Sequence, residues 1–285
     1  MSRIVYCNGE YLPETEAKVS IFDRGFLFAD GVYEVTSVLD GKLIDFDGHA
    51  KRLERSLSEL QMPVPISSDE LLAIHRRLVE ENALTEGMIY LQITRGNPGD
   101  RDFAFPPEDT PATIVLFTQE ANLLNNPKVA KGMKVISIED QRWARRDIKT
   151  VQLLYPSLAK MAAKAAGADD AWMIEEGAIT EGSSNNAYIV KDRKIITRHL
   201  GNEILHGITR AAVLRFAASA QMEVEERAFT LEEAKAADEA FVTSASTFVM
   251  PVVQIDDTPL GGGTPGPVAL QLRDIYLSEM QKAAV

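Results

Sequence analysis

Residues 121–139, ANLLNNPKVAKGMKVISIE, decide how the chain divides. Asn125-Asn126-Pro127 interrupts both helical and strand periodicity, and a strand pattern restarts at Met133. Residues 121–132 therefore read as a linker between a smaller N-terminal domain, residues 1–120, and a larger C-terminal domain, residues 133–285. Upstream, IVYCNGEYL (4–12) and VYEVTSVLDGKLIDF (32–46) each set a turn, Asn8-Gly9 or Asp40-Gly41, between apolar runs, as hairpins do. Ala50, Leu53, Leu57 and Leu60 recur at helical spacing and predict a helix with one buried stripe between Asp47 and Gln61. Ser67 or Ser68 caps a second helix through Leu78, ending near Gly87. MIYLQITR (88–95) and ATIVLFTQE (112–120) are strands around the loop GNPGDRDFAFPPEDTP (96–111), whose length is more typical of functional than of plain connecting loops. Downstream, helices are expected near 155–166, 209–220, 230–237 and 267–281, with strands in AWMIEE, NAYIVKD, KIITR, EAFVTS and FVMPVVQI. Neither half alternates strand and helix strictly, so the expected class is α+β in two domains rather than one doubly wound sheet.

The 285 residues carry 30 Lys+Arg against 42 Asp+Glu, a formal net charge of −12. Such a surface repels nucleic-acid phosphates and anionic headgroups, so neither nucleic acid nor membrane is an expected partner. No apolar run approaches the roughly 20 residues that span a bilayer, and the N-terminus lacks an apolar signal core, which makes the cytoplasm the expected compartment. The single cysteine, Cys7, excludes an internal disulfide and reads as a buried or half-buried strand residue. His49, His75, His199 and His206 have no metal-like spacing, and no protein metal centre is expected.

Several segments admit a bland and a chemical reading. Gly261, Gly263 and Gly266 match a dinucleotide fingerprint, but no strand can follow before Val285, so a turn leading to Pro267 is preferred. Ser157 and Lys160 match S-x-x-K, without the companion motifs of serine acylases, and read as an ordinary helix surface. Arg142, Arg145 and Arg146 are either a small-anion site or a set of ion pairs, with ion pairs favoured. Lys149, between Ile148 and Val151, is a candidate for Schiff-base chemistry. Gly207-Ile208-Thr209-Arg210 opens a helix whose free amides suit either a phosphate or simple capping. TEGSSNN (180–186) sits between two expected strands and is too rich in hydroxyls and amides for a mere hairpin tip.

In order, DRGFLFADGVYE (23–34), FDGHAKRLERS (46–56), RRDIKTVQLL (145–154), ITEGSSNNAYIV (179–190), ILHGITR (204–210) and FVTSAST (241–247) resemble the class IV, or fold-type IV, pyridoxal-phosphate aminotransferases. The likeness runs from about residue 3 to 280 and is strongest to D-amino acid transaminases in RDIK, TEGSS and GITR. It implies two α+β domains with pyridoxal 5'-phosphate at their interface, a homodimer with shared active sites, and transfer of an amino group from D-amino acids to 2-oxo acids such as 2-oxoglutarate or pyruvate. Branched-chain L-amino acid transaminase and aminodeoxychorismate lyase are the related alternatives.

Carried over by residue, the resemblance makes Lys149, in the C-terminal domain, the cofactor-bearing amine and proton shuttle, and Glu181 the partner of the pyridine nitrogen. Arg52, Ile208 and Thr209 would bind the phosphate, with Ser244 and Ala245 closing the cup. Leu205 would lie under the ring, and Tyr33 would stand beside the lysine and the substrate. Ser184 joins the expected substrate contacts. The D-amino acid enzymes trap the substrate carboxylate with an Arg-x-His pair reaching in from the partner subunit. Here the pair reads Arg101-Asp102-Phe103. Losing the histidine removes a donor and adds apolar area, so primary (R)-amines join D-amino acids as expected substrates.

Overall fold

The computed structural model describes residues 2–285. Its first unit comprises the chain up to Asn122, together with Ile148–Gln152 and Ala283–Val285. The hairpin β1 (Ile4–Cys7) and β2 (Glu10–Pro13) is followed by the short helix α1 (Arg24–Phe28), β3 (Gly31–Leu39) and β4 (Lys42–Leu43). Helices α2 (Phe46–Glu59) and α3 (Ser68–Glu81) precede β5 (Glu86–Thr94) and β6 (Thr113–Glu120). The strands form one sheet in the order β2-β1-β6-β5-β3-β4, every pair antiparallel.

The strand period of two sorts β3 onto two faces. Val32, Glu34, Thr36 and Val38 point inward, where Val32 and Val38 join Ile89, Leu91, Ile93 and Leu116 in a core covered by Leu53, Leu57, Leu71 and Leu78 of the two helices. On the other face Tyr33, Tyr90 and Phe117 stack, with centroids 5.6 Å and 4.9 Å apart. The α2 stripe falls as its spacing predicts, and Ser67 caps α3 in a reciprocal box with Glu70. The helix stops at Glu81 rather than near Gly87, because Asn82 ends it and clips β1 by bonds to Ile4 N and O at 2.8 and 2.9 Å. Gly87 instead lies in β5, where a Cβ would fall 2.1 Å from Gln119 O. Cys7 is a buried strand residue.

The second unit comprises Leu123–Asp147 and Leu153–Lys282. It runs through α4 (Lys128–Lys131), β7 (Met133–Glu139), α5 (Leu154–Ala165), β8 (Asp170–Glu175), β9 (Ala178–Gly182), β10 (Asn186–Lys191) and β11 (Lys194–Thr197). Then come α6 (Ile208–Ser219), β12 (Val224–Glu226), α7 (Leu231–Lys235), β13 (Glu239–Ser244), β14 (Phe248–Ile255), β15 (Thr258–Pro259) and α8 (Pro267–Ala283). The sheet order is β12-β11-β10-β13-β14-β7-β8-β9, with β15 on β14. Trp172, Ala187, Ile189, Val242, Met250 and Phe229 fill one face, while Tyr188 and Phe241 stack at 4.4 Å on the other. Among the described residues, no helix is long and apolar enough to cross a membrane.

Two boundaries differ from expectation. The division falls at Asn122/Leu123, and residues 123–132 belong to the second unit, because Arg273 binds Leu123 O at 2.8 Å and Leu123 is buried. The lysine segment does not belong with the C-terminal half: Ile148 lies in the first unit's core, and Thr150 bridges Val32.

Leu57→Ala should lower the unfolding free energy by about 2–5 kcal/mol, since Leu57 is fully enclosed. Lys51→Ala, on the exposed face of α2, should change it by about 0.5 kcal/mol or less. Denaturant titration of both variants checks the contrast.

Candidate functional site

In the first unit, residues 148–152 run alongside β3 as an extra extended segment. Tyr33 N donates to Lys149 O at 3.0 Å, and Val151 N donates to Gly31 O at 3.1 Å. That pairing brings Lys149 beside Tyr33, with the Lys149 Nζ 4.1 Å from the Tyr33 ring centroid. Lys149 is half-buried and, among the described residues, has no carboxylate partner. Tyr33 is itself steadied by its stack on Tyr90, whose phenol donates to Gln92 Oε1 at 2.8 Å and whose pKa burial pushes up to about 12.

Arg52 occupies the inner side of the same strand. Its guanidinium grips Glu34 through Nε at 2.7 Å and Nη2 at 2.6 Å, and His49 Nδ1 meets the same carboxylate at 2.8 Å. Burial alone would raise the Glu34 pKa, but the charge and bonds of Arg52, with the His49 bond, outweigh it and hold the carboxyl well below its usual range. Arg52 is thus oriented by Glu34, which strand alternation turns away from Tyr33.

The long loop packs against α1. Arg24, buried, donates to the carbonyls of Asp102 at 2.6 Å and Ala104 at 3.1 Å, and to Asp30 at 2.7 Å. Arg101 is exposed, its guanidinium 4.9 Å from the Phe28 ring and 4.8 Å from that of Phe103, which is 75% exposed. Within its own unit the expected pair of carboxylate-trap residues is therefore presented outward.

In the second unit, Glu181 is buried and triply held. Arg142 Nη1 donates to its Oε1 at 2.6 Å; Asn186 Nδ2 and Leu205 N donate to its Oε2 at 2.9 and 3.1 Å. Burial raises the Glu181 pKa, and Arg142 opposes that rise. Leu205, expected beneath the cofactor ring, is thus tied to Glu181 by its own amide. Gly207 caps α6 without a side chain, leaving the first amides at Ile208 and Thr209 for another acceptor. A Cβ on Gly207 would lie 2.1 Å from Asn186 Oδ1, so only glycine lets the turn pass so close. At the β13–β14 turn, the Ser244 hydroxyl meets that of Thr247 at 2.8 Å and accepts from Thr247 N at 3.2 Å, with Ala245 between them in sequence. Ser184 is exposed, while its neighbour Ser183 is committed to Asp170 at 2.5 Å.

TEGSSNN is only partly loop. Glu176 and Gly177, both at positive φ, close a two-residue hairpin that makes Ala178–Gly182 a strand and turns Glu181 inward. The basic cluster consists of ion pairs: Arg142 with Asp140 and Glu181, Arg145 with Asp147, Arg146 with Glu175. Ser157 bonds Leu153 O and Lys160 pairs with Asp170, so no serine–lysine couple forms. Gly261–Gly263 is a short 3-10 turn. Sequence reasoning assigned no role to Glu34, Asp140 or Asn186. Glu34 could have been found from its inward parity on β3 and Asn186 from its place in TEGSSNN, five residues after Glu181, but Asp140 reaches Glu181 only through Arg142.

The chain matches the class IV amino-transferase family over residues 31–255. It is 38% identical over 270 residues to the D-alanine aminotransferase of Staphylococcus aureus (strain N315), covering 95% of each chain. It is 37% identical over 285 residues to that of Bacillus licheniformis, covering 98% of this chain and 99% of the relative. Among solved structures, the T.th. branched-chain amino acid aminotransferase complexed with N-(5'-phosphopyridoxyl)-L-glutamate superposes with a TM-score of 0.88 at 30% identity, covering 99% of this chain and 95% of the other.

Glu34 generates a pH prediction. Its folded pKa lies below the unfolded value of about 4.3, so its contribution to stability is complete above roughly pH 5 and declines as pH falls. Glu34→Gln should lower stability at pH 7 by about 3–5 kcal/mol, by leaving Arg52 uncompensated, and should flatten the acid limb of the stability curve. Unfolding titrations at pH 4 and pH 7 measure both effects.

Proposed function

The chain belongs to the class IV aminotransferase family, and we propose from that premise that it transfers the amino group of D-amino acids to 2-oxo acids such as 2-oxoglutarate or pyruvate. The observation that carries the choice of substrate hand is identity of 37–38% to D-alanine aminotransferases over almost the full length, against 30% to the branched-chain enzyme. That enzyme's likeness in fold supports a branched-chain L-amino acid transaminase as the second reading.

Pyridoxal 5'-phosphate is the cofactor, and the residues suit it. An uncapped helix of 12 residues offers amides to a phosphate, Asn186 leaves room at Gly207 for glycine alone, and a buried carboxylate gathers three donors, as an ionised group requires. When bound, the cofactor supplies an aldehyde that exchanges for the amino group and a ring that disperses charge from the substrate carbon. Lys149 would anchor it through Nζ and, once freed, carry the proton from the substrate α-carbon to the cofactor-derived carbon. Glu181 would accept the pyridine N–H. Arg52, Ile208, Thr209, Ser244 and Ala245 would hold the phosphate, and Leu205 would support the ring.

The Tyr33 phenol would face substrate beside Lys149. Arg101, stacked on Phe28 and Phe103, would serve the site of a second copy in a homodimer with shared active sites, taking the substrate carboxylate there. Phe103 adds apolar surface that favours (R)-amines as further donors, and Ser184 completes the substrate contacts. The proposed compartment is the cytoplasm, in keeping with the lone buried thiol of Cys7.

Half-reactions with D-alanine, L-leucine and (R)-1-phenylethylamine, followed by cofactor absorbance, test the substrate reading: D-alanine should react faster than L-leucine, and the reverse order would select the branched-chain reading. Lys149→Ala should abolish turnover, with slight recovery on adding external amines. Arg101→Ala should lower the specificity constant for D-alanine and 2-oxoglutarate by about 10- to 150-fold, the worth of a charge-assisted contact of about 1.5–3 kcal/mol, while sparing (R)-1-phenylethylamine.

A further inference from the structure

The basic segment QRWARR holds one arginine whose role goes beyond a surface ion pair. Arg142 reaches in two directions: Nη1 to Glu181 Oε1 at 2.6 Å, and Nε and Nη2 to Asp140 at 3.0 and 2.7 Å. Asp140 has a fully buried side chain, accepts from Thr180 Oγ1 at 2.8 Å and lies 3.6 Å from Arg146 Nε. Arg146 in turn is tied to Glu175 at 2.7 Å. The result is an alternating row, Glu181, Arg142, Asp140, Arg146, Glu175, with the guanidinium of Arg142 fixed from behind by the Asp140 fork. On its other side, Glu181 is met by Asn186 Nδ2, which also donates to Leu205 O at 2.9 Å.

We propose that Arg142, braced by Asp140, is the positioning residue that fixes Glu181 as an ionised carboxylate aimed at the cofactor's pyridine nitrogen. This rests on the reading that Glu181 meets that nitrogen. A carboxylate in a buried site favours its neutral form unless a cation stands beside it, and a neutral acid gives up much of its attraction for a protonated ring. Among the described residues of the second unit, the charged and titratable groups that act on Glu181 include Arg142, Asp140 and Tyr188. Tyr188 is bonded to Thr243 and stays neutral because burial raises its phenol pKa, and Asp140 is an anion. Arg142 is therefore the cation of the set. Asn186 and the Leu205 amide fix direction but carry no charge.

The test compares binding of two probes to the full-length chain freed of cofactor: pyridoxal 5'-phosphate, and its 1-deaza analogue, which has a C–H in place of the ring nitrogen. Arg142→Met should weaken pyridoxal 5'-phosphate by about 10-fold or more while changing the analogue by less than about 3-fold. In a Glu181→Gln background the same substitution should add less than about 3-fold, because the group through which it acts is gone. Arg142→Lys should recover part of the preference for the nitrogen-bearing ring, and its folding is checked by an unchanged thermal midpoint. Equal loss of both probes in Arg142→Met and Arg142→Lys would show a merely structural arginine and overturn the proposal. If Glu181→Gln itself leaves the preference between the two probes intact, the reading of Glu181 fails first, and the proposal with it.

Discussion

The hydrogen bond from Tyr33 N to Lys149 O, 3.0 Å long, is the constraint on which the first unit's chemistry depends. It docks five residues, 148–152, against β3 of a unit from which they are 25 residues removed in sequence, and it fixes which way each neighbour faces. With Lys149 held on the Tyr33 side, the period of two forces Glu34 to the helix side, where it can only be tolerated as a partner of a buried cation. Arg52 on α2 supplies the cation, and His49 of the same helix adds a bond to the carboxylate. One strand therefore positions the amine on one face and orients a guanidinium on the other.

The second unit solves a similar problem with different parts. Glu181 points inward because the Glu176-Gly177 hairpin sets the register of β9, and it is stabilised by Arg142, Asn186 and the amide of Leu205. In both units a buried carboxylate is stabilised by a guanidinium, but the balance differs. The Arg52 guanidinium, with the His49 bond, carries Glu34 well below the usual carboxylate range against its burial, whereas burial leaves the Glu181 pKa raised in spite of Arg142. Glu34 suits a fixed bracket for Arg52.

Much of this was legible in the sequence. The α2 stripe, the Ser67 cap and the strands flanking the long loop follow from periodicity and turn chemistry, whereas Lys149, Tyr33 and Glu181 stand out only through the resemblance carried by the six motifs. What was hidden depended on pairing at long range. The lysine segment reads as part of the C-terminal half because it follows the linker, and only its bonds to Gly31 and Tyr33 show otherwise. Glu181 looks like a loop residue until the positive φ values at Glu176 and Gly177 are known. Arg142 looks like one of three equivalent basic residues, although it alone of the three contacts Glu181. Neither composition nor spacing could separate it from Arg145 and Arg146.

The central claim is that Lys149 is the amine to which the cofactor attaches. Reducing the cofactor-loaded protein with borohydride and mapping its peptides by mass spectrometry reads that attachment directly. The expected result is a phosphopyridoxyl group on the peptide containing Lys149 and on no other. Attachment to a different lysine, such as Lys160 or Lys164 of α5, with Lys149 unmodified, would contradict it.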